Sequence, residues 1–355
     1  MNNNPAYRIL LLMPKFYGIE AEIKLSLEHL GYDVTWIENK SLTFDYHGVR
    51  SKLKILRRIY FLIFTPQIRY IDKQFKKNEN SKFDLLIAIN GFVVCSYLFK
   101  KLKKQNPDIH SVLYLWDSFS MFNWTRELKY FNKVLTFDKD DSVRYNIEYK
   151  PNFYIKPDLE LGLEEKYDLF FVGKYSPDRL AMVDGILDSA ENSGINSFIR
   201  LWPAYKILFH NSFVHWFLKK INCNSLWIKN YLNNYDVIEG IVKREYLVTE
   251  SIDFKEVRYH FLCSNVILDL PFQRQTGYSH RLIEALANGK KVITTNAGIK
   301  NEEFFNAEQI HIINLQNPEI DFKWVKKRSN FSIDKYFQEL ELSKWLKLLI
   351  NAEAA

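Results

Sequence analysis

Between Gln275 and Asn296 the chain reads QTGYSHRLIEALANGKKVITTN, and its residue types are those that hold an anion. Gly277 permits close approach of the backbone, Thr276 and Ser279 carry hydroxyls that cap or donate, and Arg281 adds a fixed cation. Leu282, Ile283, Ala285 and Leu286 form an apolar stripe, which predicts a helix starting near Tyr278 and ended by Gly289. The unpaired N–H groups at its start, with the positive end of its dipole, suit a phosphate. Glu284 is the one acid beside that stripe. Six residues beyond Tyr278, about 9 Å along the axis, its carboxylate suits vicinal ribose hydroxyls, which want an acceptor-only partner. A diphosphate at the helix start and a ribose further on make a nucleotide. A surface glutamate paired with Arg281 or a nearby lysine is the ligand-free reading of the same residues.

Such a turn needs a strand before it, because ligands of open α/β sheets sit outside the carboxyl ends of the strands. NVILDL supplies that strand, and KKVITTN returns as the next one. Similar β-branched or aromatic runs recur along the chain with helical stretches between them, the pattern of parallel strands joined by crossover helices. YRILLLM, DVTWI, FDLLIAI, SVLYLW and KVLTF make one set; YDLFFVG, SFIRLW, EYLVT, NVILDL, KKVITT and IHIINL make a second. The fold expected is α/β with two Rossmann-like domains, residues 1–155 and 156–332, joined by a linker containing Pro151 and Pro157. Residues 333–355 carry apolar side chains at helical spacing and are expected to form one helix packing across both domains.

The bulk properties agree with two folded domains. The 355 residues exceed what one core usually serves, and 47% apolar against 26% charged residues excludes a disordered chain. A net charge of +7 favours anionic partners without choosing among them. Cys95, Cys223 and Cys263 form no C-x-x-C pair, so neither a zinc site nor a disulfide framework is expected. No signal peptide is read at the start and no apolar run nears the roughly 20 residues of a membrane span. A cytoplasmic protein is expected, with any membrane contact peripheral. Val49 to Lys77 is basic and amphipathic: it either docks on an anionic membrane surface or is a crossover helix with a solvated outer face. The aromatic-rich stretch from Leu201 to Asp236 reads as an extra helical hairpin or as buried packing.

FFVGKYSPDR, NVILDL and QTGYSHRLIEALANGKKVITTN, in that order, resemble the nucleotide-binding half of GT-B glycosyltransferases. The resemblance is greatest to bacterial lipopolysaccharide and capsule biosynthesis enzymes; it runs from Tyr167 to Phe305 and extends to LLMPKFYGIE and LYLWDSF before Pro151. It implies a GT-B architecture, two domains facing a cleft with the C-terminal helix crossing back. It also implies a nucleotide-sugar bound by the second domain, a saccharide or lipid-linked acceptor bound by the first, and no obligatory metal or other cofactor. Glu284 would hold the ribose, Gln275, Thr276, Gly277, Tyr278 and Ser279 would face the diphosphate and donor sugar, and Lys174 or Arg179 would be the phosphate-binding cation. One position departs from the family: Thr276 stands where many retaining members carry the first glutamate of Glu-x7-Glu, so retention of configuration does not carry over.

An inverting transfer needs a base for the acceptor hydroxyl. Glu20, in the loop after the first strand, and Asp117, after LYLW, lie at carboxyl ends of predicted strands; alternatively each stabilises a helix N-terminus. Asp138 and Asp140 in FDKDD form an Asp-x-Asp able to hold a divalent cation, or they cap a helix; the reading taken is no metal. Two other functions fit the fold or charge: a GT-B sugar-nucleotide epimerase, and a basic nucleic-acid-binding protein, for which no helix-turn-helix, zinc-finger or RNP signature is present.

Overall fold

The computed structural model describes residues 7–39, 73–78, 81–90, 96–125, 127–157, 163–202, 212–221, 232, 244–248, 252–271, 275–314, 318–328 and 331–351. The chain divides into two compact units. One comprises Met1–Lys156, Gln273–Tyr278 and Glu339–Ala355, and the other Pro157–Phe272 and Ser279–Gln338.

The first unit runs β1 (Arg8–Met13), α1 (Ile19–His29), β2 (Asp33–Glu38), β3 (Leu85–Ile89), α2 (Ser96–Gln105), β4 (His110–Leu115), β5 (Lys133–Thr136), α3 (Lys139–Tyr145) and β6 (Glu148–Tyr149). All six strands are parallel in the order β2-β1-β3-β4-β5-β6. RILLLM and LLIAI are continuous apolar runs because both faces of a central parallel strand are covered; every residue from Ile9 to Met13 and from Leu85 to Ile89 is buried. Each fully buried leucine, isoleucine or phenylalanine contributes about 1.5–3 kcal/mol. Because the strands are parallel, Asn39, Asn90, Asp117 and Asp138, just after β2, β3, β4 and β5, share one sheet edge with the loop after β1.

The second unit continues with β7 (Tyr167–Lys174), α4 (Pro177–Ala190), β8 (Ser197–Trp202), α5 (Ser212–Ile221), α6 (Phe254–Leu262), β9 (Ser264–Asp269), α7 (His280–Ala287), β10 (Lys291–Thr294), β11 (Ile310–Ile312) and α8 (Phe322–Lys326). Its sheet is also parallel, in the order β11-β10-β9-β7-β8. The predicted α/β class with two Rossmann-like units is what the chain forms.

Three local expectations change. Residues Glu245–Val248 of EYLVT, the part described, form one bridge to β8 rather than a strand, Leu201 N–H donating to Tyr246 O at 2.8 Å and Val248 N–H to Leu201 O at 2.9 Å. The C-terminal helix is two, α9 (Lys335–Gln338) and α10 (Leu342–Asn351). Between them, Tyr154 N–H donates to Leu340 O at 3.0 Å and Leu342 N–H to Tyr154 O at 2.9 Å, so residues 340–342 pair with distant backbone instead of coiling. Trp345 of α10 is wholly buried in the first unit, donating to Pro151 O at 2.9 Å with its ring 4.8 Å edge-on from Tyr114. In the aromatic stretch, buried packing fails at Trp216 and Phe217 of α5, which are 52% and 51% exposed. Residues 49–72 of the basic stretch lie outside the described residues. Among the described residues no helix is long and apolar enough to cross a membrane.

Candidate functional site

In the second unit the site grows from the carboxyl end of β9. Asp269 closes that buried strand at 1% exposure, and an ionised carboxylate there must be matched. Ser279 Oγ donates to its Oδ1 at 2.5 Å, Thr294 Oγ1 donates to its Oδ2 at 2.9 Å, and Arg281 Nη1 lies 3.7 Å from Oδ1. Ser279 is also the N-cap of α7, its hydroxyl accepting from Leu282 N–H at 3.1 Å, so the helix begins two residues later than predicted. Arg281 is fixed on three sides: besides Asp269, it donates to Val172 O at 2.7 Å and lies 4.6 Å from the centre of the Phe171 ring. Burial pulls its pKa down from the usual arginine range while Asp269 opposes that shift. A guanidinium remains charged at any ordinary pH. The first turn of α7 therefore carries a held cation beside helix N–H groups, an anion-binding combination.

Glu284 lies one turn on, about 6 Å beyond His280. Burial pushes its pKa up to about 7, with Arg258 of α6 pulling the other way. Arg258 Nε is 3.6 Å from Glu284 Oε1, so the ion-pair partner comes from another helix and is not Arg281. Sequence spacing along α7 could not reveal Arg258; Asp269 did leave a signal, an acid closing an otherwise apolar strand.

Lys174 is the last residue of β7, at the same sheet edge. Arg179, 8% exposed on α4, donates through Nη1 to Lys174 O at 3.0 Å and through Nε and Nη2 to Leu270 O at 2.9 and 2.7 Å. It braces the ends of β7 and β9, which fixes the backbone from which Lys174 projects.

Residues 276–278 belong to the first unit, where Asp138 receives them. Asp138 is 1% exposed and caps α3, accepting from Asp140 and Asp141 N–H, each at 3.1 Å. It also accepts from Thr276 N–H at 2.9 Å, Thr276 Oγ1 at 2.7 Å and Gly277 N–H at 3.1 Å. The main-chain donors expected to face a diphosphate at Thr276 and Gly277 thus meet an internal carboxylate in this structure. A Cβ on Gly277 would sit 2.6 Å from the Phe137 ring and 2.7 Å from Phe137 O, so the approach requires glycine. Tyr278 is buried, and its carbonyl accepts from Asn152 Nδ2 at 2.9 Å. Gln275 Nε2 is buried without a hydrogen-bond partner among the described residues. Of the Asp-x-Asp pair, Asp138 is filled by N–H and O–H donors and Asp140 is exposed; no cluster of metal-ligating side chains occurs among the described residues.

The two candidate bases also lie in the first unit. Glu20 is 4% exposed at the start of α1, and its Oε2 accepts from Phe16 N–H at 2.9 Å, closing the loop after β1. Phe16 packs on Trp116, ring centres 5.2 Å apart, which brings that loop beside the end of β4. Asp117 is half-buried there, and its Oδ2 accepts from Asn90 Nδ2 at 2.5 Å.

No family model matches the chain, and no curated protein matches it. Among solved structures it is similar to the apo form of the lipopolysaccharide outer core galactosyltransferase WaaB, at 11% identity and a TM-score of 0.48, over 98% of this chain and 99% of that one. It is also similar to UDP-N-acetylglucosamine 2-epimerase from Rickettsia bellii, at 9% identity and a TM-score of 0.45, over 98% and 96% of the two chains. Similarities at these levels transfer no residue roles and no activity to this chain.

Proposed function

We propose that this protein is a GT-B-type glycosyltransferase that takes a sugar from a nucleotide-sugar and passes it to a saccharide or lipid-linked saccharide of cell-surface polysaccharide biosynthesis. The observation that carries the reading is the arrangement at the start of α7: a capped helix N-terminus, Arg281 locked in its first turn, and Glu284 one turn on in a desolvated place. A diphosphate satisfies the first two and ribose hydroxyls satisfy the third, since hydroxyl donors stabilise a carboxylate that burial has made reluctant to ionise. Lys174 supplies a further cation for the phosphates. The leaving diphosphate is stabilised by these fixed charges and dipoles, so the reading needs no metal.

In the first unit a carboxylate deprotonates the acceptor hydroxyl. Location at the cytoplasmic face of a membrane belongs to the same proposal, since a lipid-linked acceptor resides there.

Thermal shift against UDP-, GDP-, dTDP- and CMP-sugars tests the donor site. One nucleotide class is expected to stabilise the wild type, and Glu284→Ala is expected to lose that response. An unchanged response in the variant refutes the ribose assignment. Conversion of the stabilising donor to an epimer without acceptor would make the protein an epimerase instead.

A further inference from the structure

The first unit's strand order reverses direction between β1 and β3, the position at which open α/β sheets take their ligands. Two of the loops at that reversal have unusual backbone. Tyr17 and Gly18, after β1, have φ of 53° and 89°, and Asn90, after β3, has φ of 49°. Left-handed backbone at a non-glycine residue is costly and persists where the surroundings impose it, often at functional sites. Asparagine bears it better than most residues.

Asn90 is fully buried and its side chain makes two bonds of opposite sense. Oδ1 accepts from Trp116 N–H at 3.1 Å, which fixes the amide's orientation and leaves Nδ2 to donate to Asp117 Oδ2 at 2.5 Å. Behind it, fully buried Asn39 donates through Nδ2 to Asn90 O at 2.5 Å. Among the described residues the Oδ1 of Asn39 has no partner. Turning that amide over would put its oxygen against the Asn90 carbonyl, so the chain of donors runs one way, from Asn39 through Asn90 to Asp117. A buried acceptor left unmatched is a stability cost that a purely structural network avoids.

We infer that Asn90 is a positioning residue for the proposed transfer, holding Asp117 as the base that takes the acceptor's proton. The inference rests on the glycosyltransferase reading. In that step the acceptor oxygen bonds to the anomeric carbon as its proton passes to Asp117. The bond from that carbon to the diphosphate oxygen breaks, its electron pair leaving with the nucleoside diphosphate. Glu20, tied to Phe16 N–H at 4% exposure, shapes the loop beside this base.

The test substitutes Asn90→Asp, which keeps tolerance of positive φ and an oxygen for Trp116 N–H but turns a carboxylate toward Asp117. Water stands in for the acceptor, and activity is release of nucleoside diphosphate from whichever UDP-, GDP- or dTDP-sugar stabilises the wild type. Two carboxylates in contact cannot both ionise readily, so the acidic limb of kcat against pH is expected to rise by about one unit or more, with the donor's thermal shift unchanged. The double variant Asn90→Asp, Asp117→Asn restores a donor–acceptor pair with its charge moved; it is expected to fold as wild type does and stay inactive. A wild-type pH limb in the single variant, or recovered activity in the double one, overturns the inference. Should both fail to fold, Asn90→Gly, whose backbone suits that φ, decides: kcat at least about tenfold down with donor KM unchanged supports the assignment, and unchanged kcat refutes it. If no sugar nucleotide stabilises the wild type, the donor reading has failed instead. A donor response with an unmoved limb fails Asn90 alone.

Discussion

Glu284 should cost the fold stability at the pH where it is proposed to work. Its carboxyl has a pKa near 7 in the folded chain against an ordinary value of 4.5, because burial disfavours the charge more than Arg258 favours it. The folded state therefore binds the proton more tightly than the unfolded one between those values, and stability falls as pH rises from about 4.5 to 7, the full penalty standing above pH 7. At 1.36 kcal/mol per unit, the shift corresponds to about 3 kcal/mol, or roughly 6–12 °C in the melting temperature of a domain of this size. Glu284→Gln removes the titration while keeping the shape. Comparing wild type and variant at pH 5 and pH 8 isolates this group, since every other titration is shared. The variant is expected to gain on the wild type between the two pH values, by somewhat less than the full figure because part of the penalty already stands at pH 5, and to lose the donor response. Parallel pH profiles for the two proteins would refute the account of a desolvated, unliganded carboxylate.

The same shift makes donor affinity pH-dependent: ribose hydroxyls select the ionised form, so Kd measured by calorimetry should be about tenfold weaker at pH 6 than at pH 8, and a flat profile would count against Glu284 as the ribose partner. Gly277→Ala drives a methyl into the Phe137 ring and carbonyl and should destabilise by about 1–3 kcal/mol in urea unfolding; no loss would mean that the close approach is not maintained in solution. Asp138→Ala removes a helix cap together with the three bonds to Thr276 and Gly277, and a loss of roughly 2–4 kcal/mol is expected, with faster amide exchange at Thr276 and Gly277 as the local check.

Much of the fold was legible because the relevant physics is local or periodic. NVILDL and LLIAI are apolar without alternation, which only a strand covered on both faces tolerates, and parallel pairing then places the loops leaving such strands at one sheet edge. Ser279, Arg281 and Glu284 could be placed on α7 because helical spacing fixes their separation. Arg258 facing Glu284, Asp138 receiving Thr276 and Gly277, and Asn90 holding Asp117 all join residues far apart in sequence.

The sequence alone determined which residue types stand at the carboxyl ends of the strands, since periodicity and the parallel crossover pattern are properties of short stretches. Tertiary structure alone decided their partners: which carboxylate is filled by N–H donors, as Asp138 is, and which has its charge disfavoured by burial, as Glu284 has. It likewise broke the C-terminal helix at residues 340–342, where backbone groups found Tyr154. Hydrogen bonding and desolvation depend on the groups packed within a few ångströms, and in a folded chain those neighbours come from anywhere along it.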